Sequence, residues 1–204
     1  MSRGLIAGCV IGRRGRIRGA GRGAAVLTGA LLSACAALPP PPAAEPSLLP
    51  PASLGASRSV EQVLHAAHGA REATLQCIVD IVPERLRVVC LSALGQRVFT
   101  LEQTAGELRA ERAAFAPEQL APQHILADMQ LAYWPLDAVQ AVVADGVRVL
   151  EPRAGLRRLQ RGERIVAEVH YADADPWNGR LWLVNLEHGY SLDIRSRPLT
   201  EAAR

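Results

Sequence analysis

The chain has 204 residues, 49% of them hydrophobic, and its 23 basic side chains are all Arg, set against 20 Asp and Glu. Six of those Arg fall within residues 1–35, leaving 17 Arg against 20 acidic groups, a net charge of −3 that removes the electrostatic case for nucleic-acid binding. The chain beyond residue 59 is one domain by length, large enough for a single core, and no apolar segment in it is long enough to cross a bilayer.

Residues 24–32 form an apolar run too short to span a membrane, preceded by Arg13, Arg14, Arg16, Arg18 and Arg22 and closed by Leu32-Ser33-Ala34-Cys35. This order resembles a bacterial lipoprotein signal. The resemblance implies that residues 1–34 are cleaved as a signal peptide and that Cys35 becomes the new N-terminus, acylated on sulfur and nitrogen. Several acyl chains on one residue give stable anchoring where one would be marginal. The bland alternative is an ordinary signal peptide with a coincidental cysteine. Ala36 stands where Asp would resemble an inner-membrane retention signal, which implies an outer-membrane protein facing the periplasm. Pro39, Pro40, Pro41 and Pro42 favour polyproline II, so residues 35–59 are expected to form a semi-rigid spacer.

The expected domain covers residues 60–197, with 198–204 as a C-terminal tail. Residues 62–68 suit a first strand, followed by a turn at Gly69. Residues 73–81 and 86–90 alternate in polarity about Pro83-Glu84. If positions pair about that turn, Cys77 faces Cys90, Val79 faces Val88 and Ile81 faces Leu86. An oxidising compartment permits a disulfide between Cys77 and Cys90; the competing reading is two small buried apolar side chains. Residues 97–102 and 107–112 continue the meander. The period then changes: residues 122–134 suit a helix with Pro122 in its first turn, and residues 136–144 a second after Pro135. Strands return at 147–151, 156–160, 164–171, 180–186 and 190–195, with turns at Gly162, Asn178-Gly179 and Gly189.

Two meanders around a helical pair, together with Leu94-Gly95-Gln96, Ala132-Tyr133-Trp134-Pro135-Leu136, Asp175-Pro176-Trp177-Asn178-Gly179 and Gly189-Tyr190, carry a family likeness. Residues 62–196 resemble a proteobacterial outer-membrane lipoprotein family catalogued as a domain of unknown function, and more broadly the LolA and LolB lipoproteins. That likeness implies a mainly β fold with a small helical insertion: a bent antiparallel sheet, or half-open β-barrel, with a helical lid. In LolA and LolB the concave face holds acyl chains. Members of the closer family are often encoded beside genes for polyene lipids, which implies a lipid-handling step. LolB-type proteins also insert cargo with an exposed apolar residue on a protruding loop; Leu94 is the nearest equivalent here.

A bent sheet has a concave side that must be filled, covered or left as a cavity. The candidate groove is Leu75, Val79, Val88, Phe99 and Leu101 from the sheet with Met129, Tyr133, Trp134 and Leu136 from the helices, all of which equally suit an ordinary core. Enzyme signals are weak. His65 and His68, three apart, face opposite sides of a regular strand, and no partner has zinc-site spacing. No nucleophile elbow, phosphate loop or cofactor motif is present. Asp173 and Asp175 suit turn stabilisation, and Trp177 and Trp182 suit sheet cover. The expectation is a non-enzymatic, cofactor-free lipoprotein on the inner leaflet of the outer membrane. It would bind an acyl or polyene lipid and exchange it with an export or Lol-type partner. The alternative is an assembly lipoprotein that acts through protein contacts without a ligand.

Overall fold

The computed structural model describes residues 45–116 and 121–199; Cys35, the expected signal peptide and the first part of the expected spacer lie outside the described residues. Strands β1 (Arg58–His68), β2 (Arg71–Val82), β3 (Arg85–Ser92), β4 (Arg97–Gln103) and β5 (Leu108–Arg112) come first. Helices α1 (Pro122–Tyr133) and α2 (Leu136–Gln140) come next, then β6 (Val147–Arg153), β7 (Leu156–Arg161), β8 (Arg164–Tyr171), β9 (Arg180–Asn185) and β10 (Tyr190–Pro198). The spatial order is β5-β4-β3-β2-β1-β10-β9-β8-β7-β6. Each meander therefore keeps its chain order, and β1 pairs antiparallel with β10 to join them, from Val60 opposite Pro198 to His68 opposite Tyr190. β5 and β6 remain as edges, so the ten-stranded sheet is open and not closed into a barrel.

Period-two burial sets the faces. Cys77, Val79 and Ile81 on β2 and Leu86, Val88 and Cys90 on β3 turn inward, with the register Ile81–Leu86, Val79–Val88 and Cys77–Cys90. Cys77 and Cys90 are joined by a disulfide across this register, their Cα atoms 4.1 Å apart. The register slips between Cys90 and Leu91, which pair with Phe99 and Arg97, so Val98 is an extra residue buried beside Phe99. Such a bulge bends its strand and increases the local twist.

The sheet's curvature follows from what α1 touches. Side chains or carbonyls of α1 hydrogen-bond to Gln103 on β4 and, beyond its C-terminus, the Trp134 carbonyl bonds to Arg157 on β7. Those strands stand seven spacings apart, ~34 Å across a flat sheet, while a helix with its side chains is only about 10 Å wide. The sheet must curl around the helix for both contacts to form. Pro135 ends α1 by forcing Trp134 into extended backbone.

Three boundaries differ from expectation. β1 begins at Arg58, four residues early, because Arg58–Val60 already pair with Ile81–Val79. α2 stops at Gln140: its side-chain carbonyl accepts from the Val149 amide at 2.7 Å, and the β-branched pair Val142-Val143 packs against the core without continuing the helix. The segment expected as spacer up to residue 59 is part of the folded domain from residue 48. Leu49 is buried, Pro51–Leu54 forms a 3₁₀ turn in which Pro51 is buried, and Leu48 and Leu54 pack on the core. Burying a leucine is worth roughly 1.5–3 kcal/mol, which favours docking of Leu48 and Leu49 on the sheet.

The disulfide closes a loop with a sequence separation of 13. Replacing both cysteines by Ala should cost about 2–3 kcal/mol, read as a lower urea midpoint with an m-value that rises as the uncrosslinked unfolded chain exposes more surface.

Candidate functional site

The residues expected to line a groove do converge, and they fill the space they enclose. Val79, Val88, Phe99, Leu101, Tyr133 and Trp134 belong to one buried cluster at 1–6% exposure, and Leu75, Met129 and Leu136 pack partly buried against it. Two surface cavities lie elsewhere. One of about 360 Å³ is lined by Ala67, Gly69, Val184, Leu186, Tyr190 and Ser191 among others. Ala67, Ser191 and Val184 lie opposite one another on β1, β10 and β9, out of phase with the core-facing Leu192 and Leu183, while Asn185 and Tyr190 of the lining share the core phase, so the cavity sits at the β9–β10 turn end of the sheet. The other, about 190 Å³, sits at the β6–β7 turn beside Tyr171.

What joins α1 to the sheet is unusually polar. The Tyr133 hydroxyl lies 3.0 Å from that of Ser196 and accepts from Gln62 Nε2 at 2.9 Å. The Gln130 carboxamide meets the backbone of Leu49, whose amide donates to Oε1 at 2.8 Å and whose carbonyl accepts from Nε2 at 2.8 Å. Gln103 Nε2 donates to the same carbonyl at 2.9 Å. At the C-terminal end, Arg157 Nη1 donates to the carbonyls of Leu131 (2.9 Å) and Trp134 (2.6 Å), and the Tyr171 hydroxyl donates to that of Ala132 at 2.7 Å. A guanidinium at a helix C-terminus satisfies orphan carbonyls and meets the negative end of the helix dipole. Arg157 is itself paired with Glu151 at 2.8 Å.

In the middle of α1, the Asp128 carboxylate accepts from Asn185 Nδ2 at 3.1 Å and from the Tyr190 hydroxyl. The His124 and His188 rings stack beside it with centroids 4.3 Å apart. Burial, opposed by the bonds from Tyr190 and Asn185, holds Asp128 above the ordinary carboxylate range. Burial likewise raises Tyr133 and Tyr190, the latter also through the Asp128 charge, and pushes the Tyr171 phenol up to about 12. These groups are donors and acceptors fixed in place. Among the described residues no three His, Cys, Asp or Glu side chains converge on a metal position. His65 lies on the surface against Thr74. Asp175 accepts from the Trp177 amide and Asp173 from the Arg180 amide, so both stabilise the turn. Trp177 is buried against Tyr133, whereas Trp182 lies on the convex face under Arg180.

Sequence reasoning passed over Gln62, Gln103, Asp128, Gln130, Arg157 and Asn185. The available signal was phase: Gln103 and Asn185 each lie two residues beyond a buried leucine, Leu101 and Leu183, on the same strand face. A polar residue at a core-phase position calls for a buried partner.

Asp128→Ala leaves Asn185 and Tyr190 unsatisfied in a buried place and should cost about 2–4 kcal/mol. Asp128→Asn keeps the shape and removes the charge. Because the folded carboxyl titrates above its unfolded value, the stability of its neutral form is complete below about pH 4 and is lost as pH rises through the raised folded value. Wild type should therefore lose stability relative to Asp128→Asn as pH climbs from about 4, measured by urea midpoints in pH steps. A constant difference across that range contradicts this assignment.

Comparison with known proteins gives one family. A DUF1329 family protein from Desulfovibrio piger ATCC 29098, known from its crystal structure, is similar over 76% of this chain and 90% of its own, at 13% identity and a TM-score of 0.35. No curated protein matches. The family model described as "Protein of unknown function (DUF3261)" matches residues 59–198, from the start of β1 to the end of β10. The chain belongs to the DUF3261 family.

Proposed function

We propose that this protein is a lipoprotein, anchored through Cys35 to the inner leaflet of the outer membrane, that binds acyl chains between the concave sheet face and α1. Helix α1 is then a lid that the ligand displaces, and an export or Lol-type partner supplies or receives the lipid. The observation that supports this reading is the polar seam. Asp128, Gln130 and Tyr133 hold α1 by hydrogen bonds. Water replaces such bonds at a net cost of only about 0.5–1.5 kcal/mol each. An apolar contact of equal area loses its full burial energy on opening.

Opening also exposes Leu126, Leu131, Tyr133 and Trp134, all buried. At roughly 1.5–3 kcal/mol per large side chain and ~0.8 kcal/mol per methylene, a chain of about a dozen buried methylenes offsets that exposure. Shorter chains do not. Binding should thus show a length threshold, and above it affinity should rise about fourfold per methylene. The test is native mass spectrometry of the unlipidated Cys35→Ser protein from a lipid-producing host, with titration by fluorescent fatty acids of increasing length. Absence of co-purified acyl species together with length-independent binding sinks the carrier reading.

The filled interior favours one second reading, an assembly lipoprotein working through protein contacts. Leu94 (86% exposed), Phe115 (60%) and Leu186 (56%) stand in solvent. They lie in the β3–β4 turn, just past β5 and in the β9–β10 turn, at one end of the sheet. That reading expects photo-crosslinkers at Leu94 or Phe115 to trap a partner polypeptide in cells while the Cys35→Ser protein carries no lipid.

A further inference from the structure

We propose that the surface beneath residues 48–54 is a peptide-binding groove, and that this chain's own segment is a releasable occupant that latches α1 shut. Two features make it a binding site and not merely a packed terminus. The first is backbone recognition. The Gln130 carboxamide gives to and takes from the Leu49 main chain, as a neighbouring strand residue would, and Gln103 adds a second donor to the Leu49 carbonyl. These contacts do not depend on the peptide being covalently attached. Around them Leu49 and Pro51 are buried, and the Trp134 indole N–H donates to Ser53 Oγ at 2.9 Å. Pro50 has polyproline II backbone, φ −65° and ψ 151°, a conformation that loses little entropy on docking against an aromatic-edged groove. The ligand class is an extended aliphatic peptide with leucine preceding proline.

The second feature is the family boundary. Gln103, Gln130 and Trp134 fall inside the matched residues 59–198, and the occupying segment falls before them. The groove therefore belongs to the family domain, while the peptide that fills it is upstream.

The occupant is a latch because of where its partners sit. Gln130 is on α1, Trp134 immediately follows it, and Gln103 is on β4. Leu49 thus ties helix and sheet together, and α1 cannot lift from β4 while it is seated. The same segment leads directly back to Cys35. The role of α1 as a lid rests on the proposed acyl binding; the mechanical coupling between segment and helix does not.

Hydrogen exchange by mass spectrometry on the full chain, wild type against Leu49→Asp, tests the coupling. Leu49→Asp should speed exchange by about tenfold or more, the loss of three modest bonds, in residues 48–54 and in α1, with β2 and β3 still protected. Adding the synthetic peptide PSLLPPASLG, the sequence of residues 46–55, should restore α1 protection in Leu49→Asp, and the same peptide with aspartate for its second leucine should not. Unchanged α1 exchange, or no restoration by the peptide, overturns the latch. Should Leu49→Asp lose protection everywhere, Ser53→Ala, which removes the Trp134 indole bond and the segment's own bond to the Pro50 carbonyl while leaving the direct Gln130–Gln103 contact intact, gives the local pattern at smaller amplitude, and a silent α1 there also overturns it. Fluorescent fatty-acid binding on the same variants separates the two claims. Tighter binding by Leu49→Asp supports both, while no acyl binding with α1 exchange altered and restored removes the carrier reading and supports the latch.

Discussion

The pairing of β1 with β10 is the constraint on which the molecule depends. Nine residues from Val60 to His68 lie against Pro198 to Tyr190, bringing the two ends of the domain together and making one ten-stranded sheet from two meanders. Without that ladder each meander would be a five-stranded sheet with its long first or last strand exposed as an edge, a template for mispairing. With it, the edges are short or interrupted: β5 carries Arg109, Glu111 and Arg112, and β6 contains Pro152 and an irregular register. The pairing is long-range, so its entropy of closure must be met by contacts that form late.

Joining the meanders also defines what α1 has to do. A sheet this wide exposes a large apolar face, and a single helix covers it only if the sheet curls. The seam that results mixes leucine and tryptophan with carboxamide, phenol, carboxylate and guanidinium. Apolar contact alone would let the helix slide or rotate against a smooth concave wall. Fixed donors and acceptors at Gln62, Gln103, Arg157 and Asn185 give it one register, because any other leaves buried polar groups unpaired. The same groups make the seam separable, since each finds a water partner once opened. A unique closed state thus arises from this set of residues, while the cost of any opening would fall mainly on the buried Leu126, Leu131 and Trp134.

Individual elements were legible to very different degrees. The Cys77–Cys90 juxtaposition needed only the alternation of two strands and a turn at Pro83-Glu84, because a period of two allows a single inward register. Helix α1 was legible from Pro122 and Pro135, which bound it at both ends. The buried segment at 48–54 was not: its composition is that of a spacer, and only the presence of Gln103 and Gln130 above the sheet draws Leu49 in. The candidate groove was legible as a set of residues that meet. That they meet without leaving space depends on the summed volumes of side chains from seven or more elements, which no local pattern encodes.

By itself the sequence determined the strands, the two helices, the order of meander, helix pair and meander, and the inward-facing set, because each depends on periodicity and on prolines and glycines a few residues away. The tertiary structure alone decided that β1 and β10 join, that the sheet stays open, that its interior is filled, and that residues 48–54 belong to the fold. Those outcomes are set by pairings between residues 54 or more positions apart and by the competition of side chains for one enclosed volume. Neither leaves a trace in local pattern.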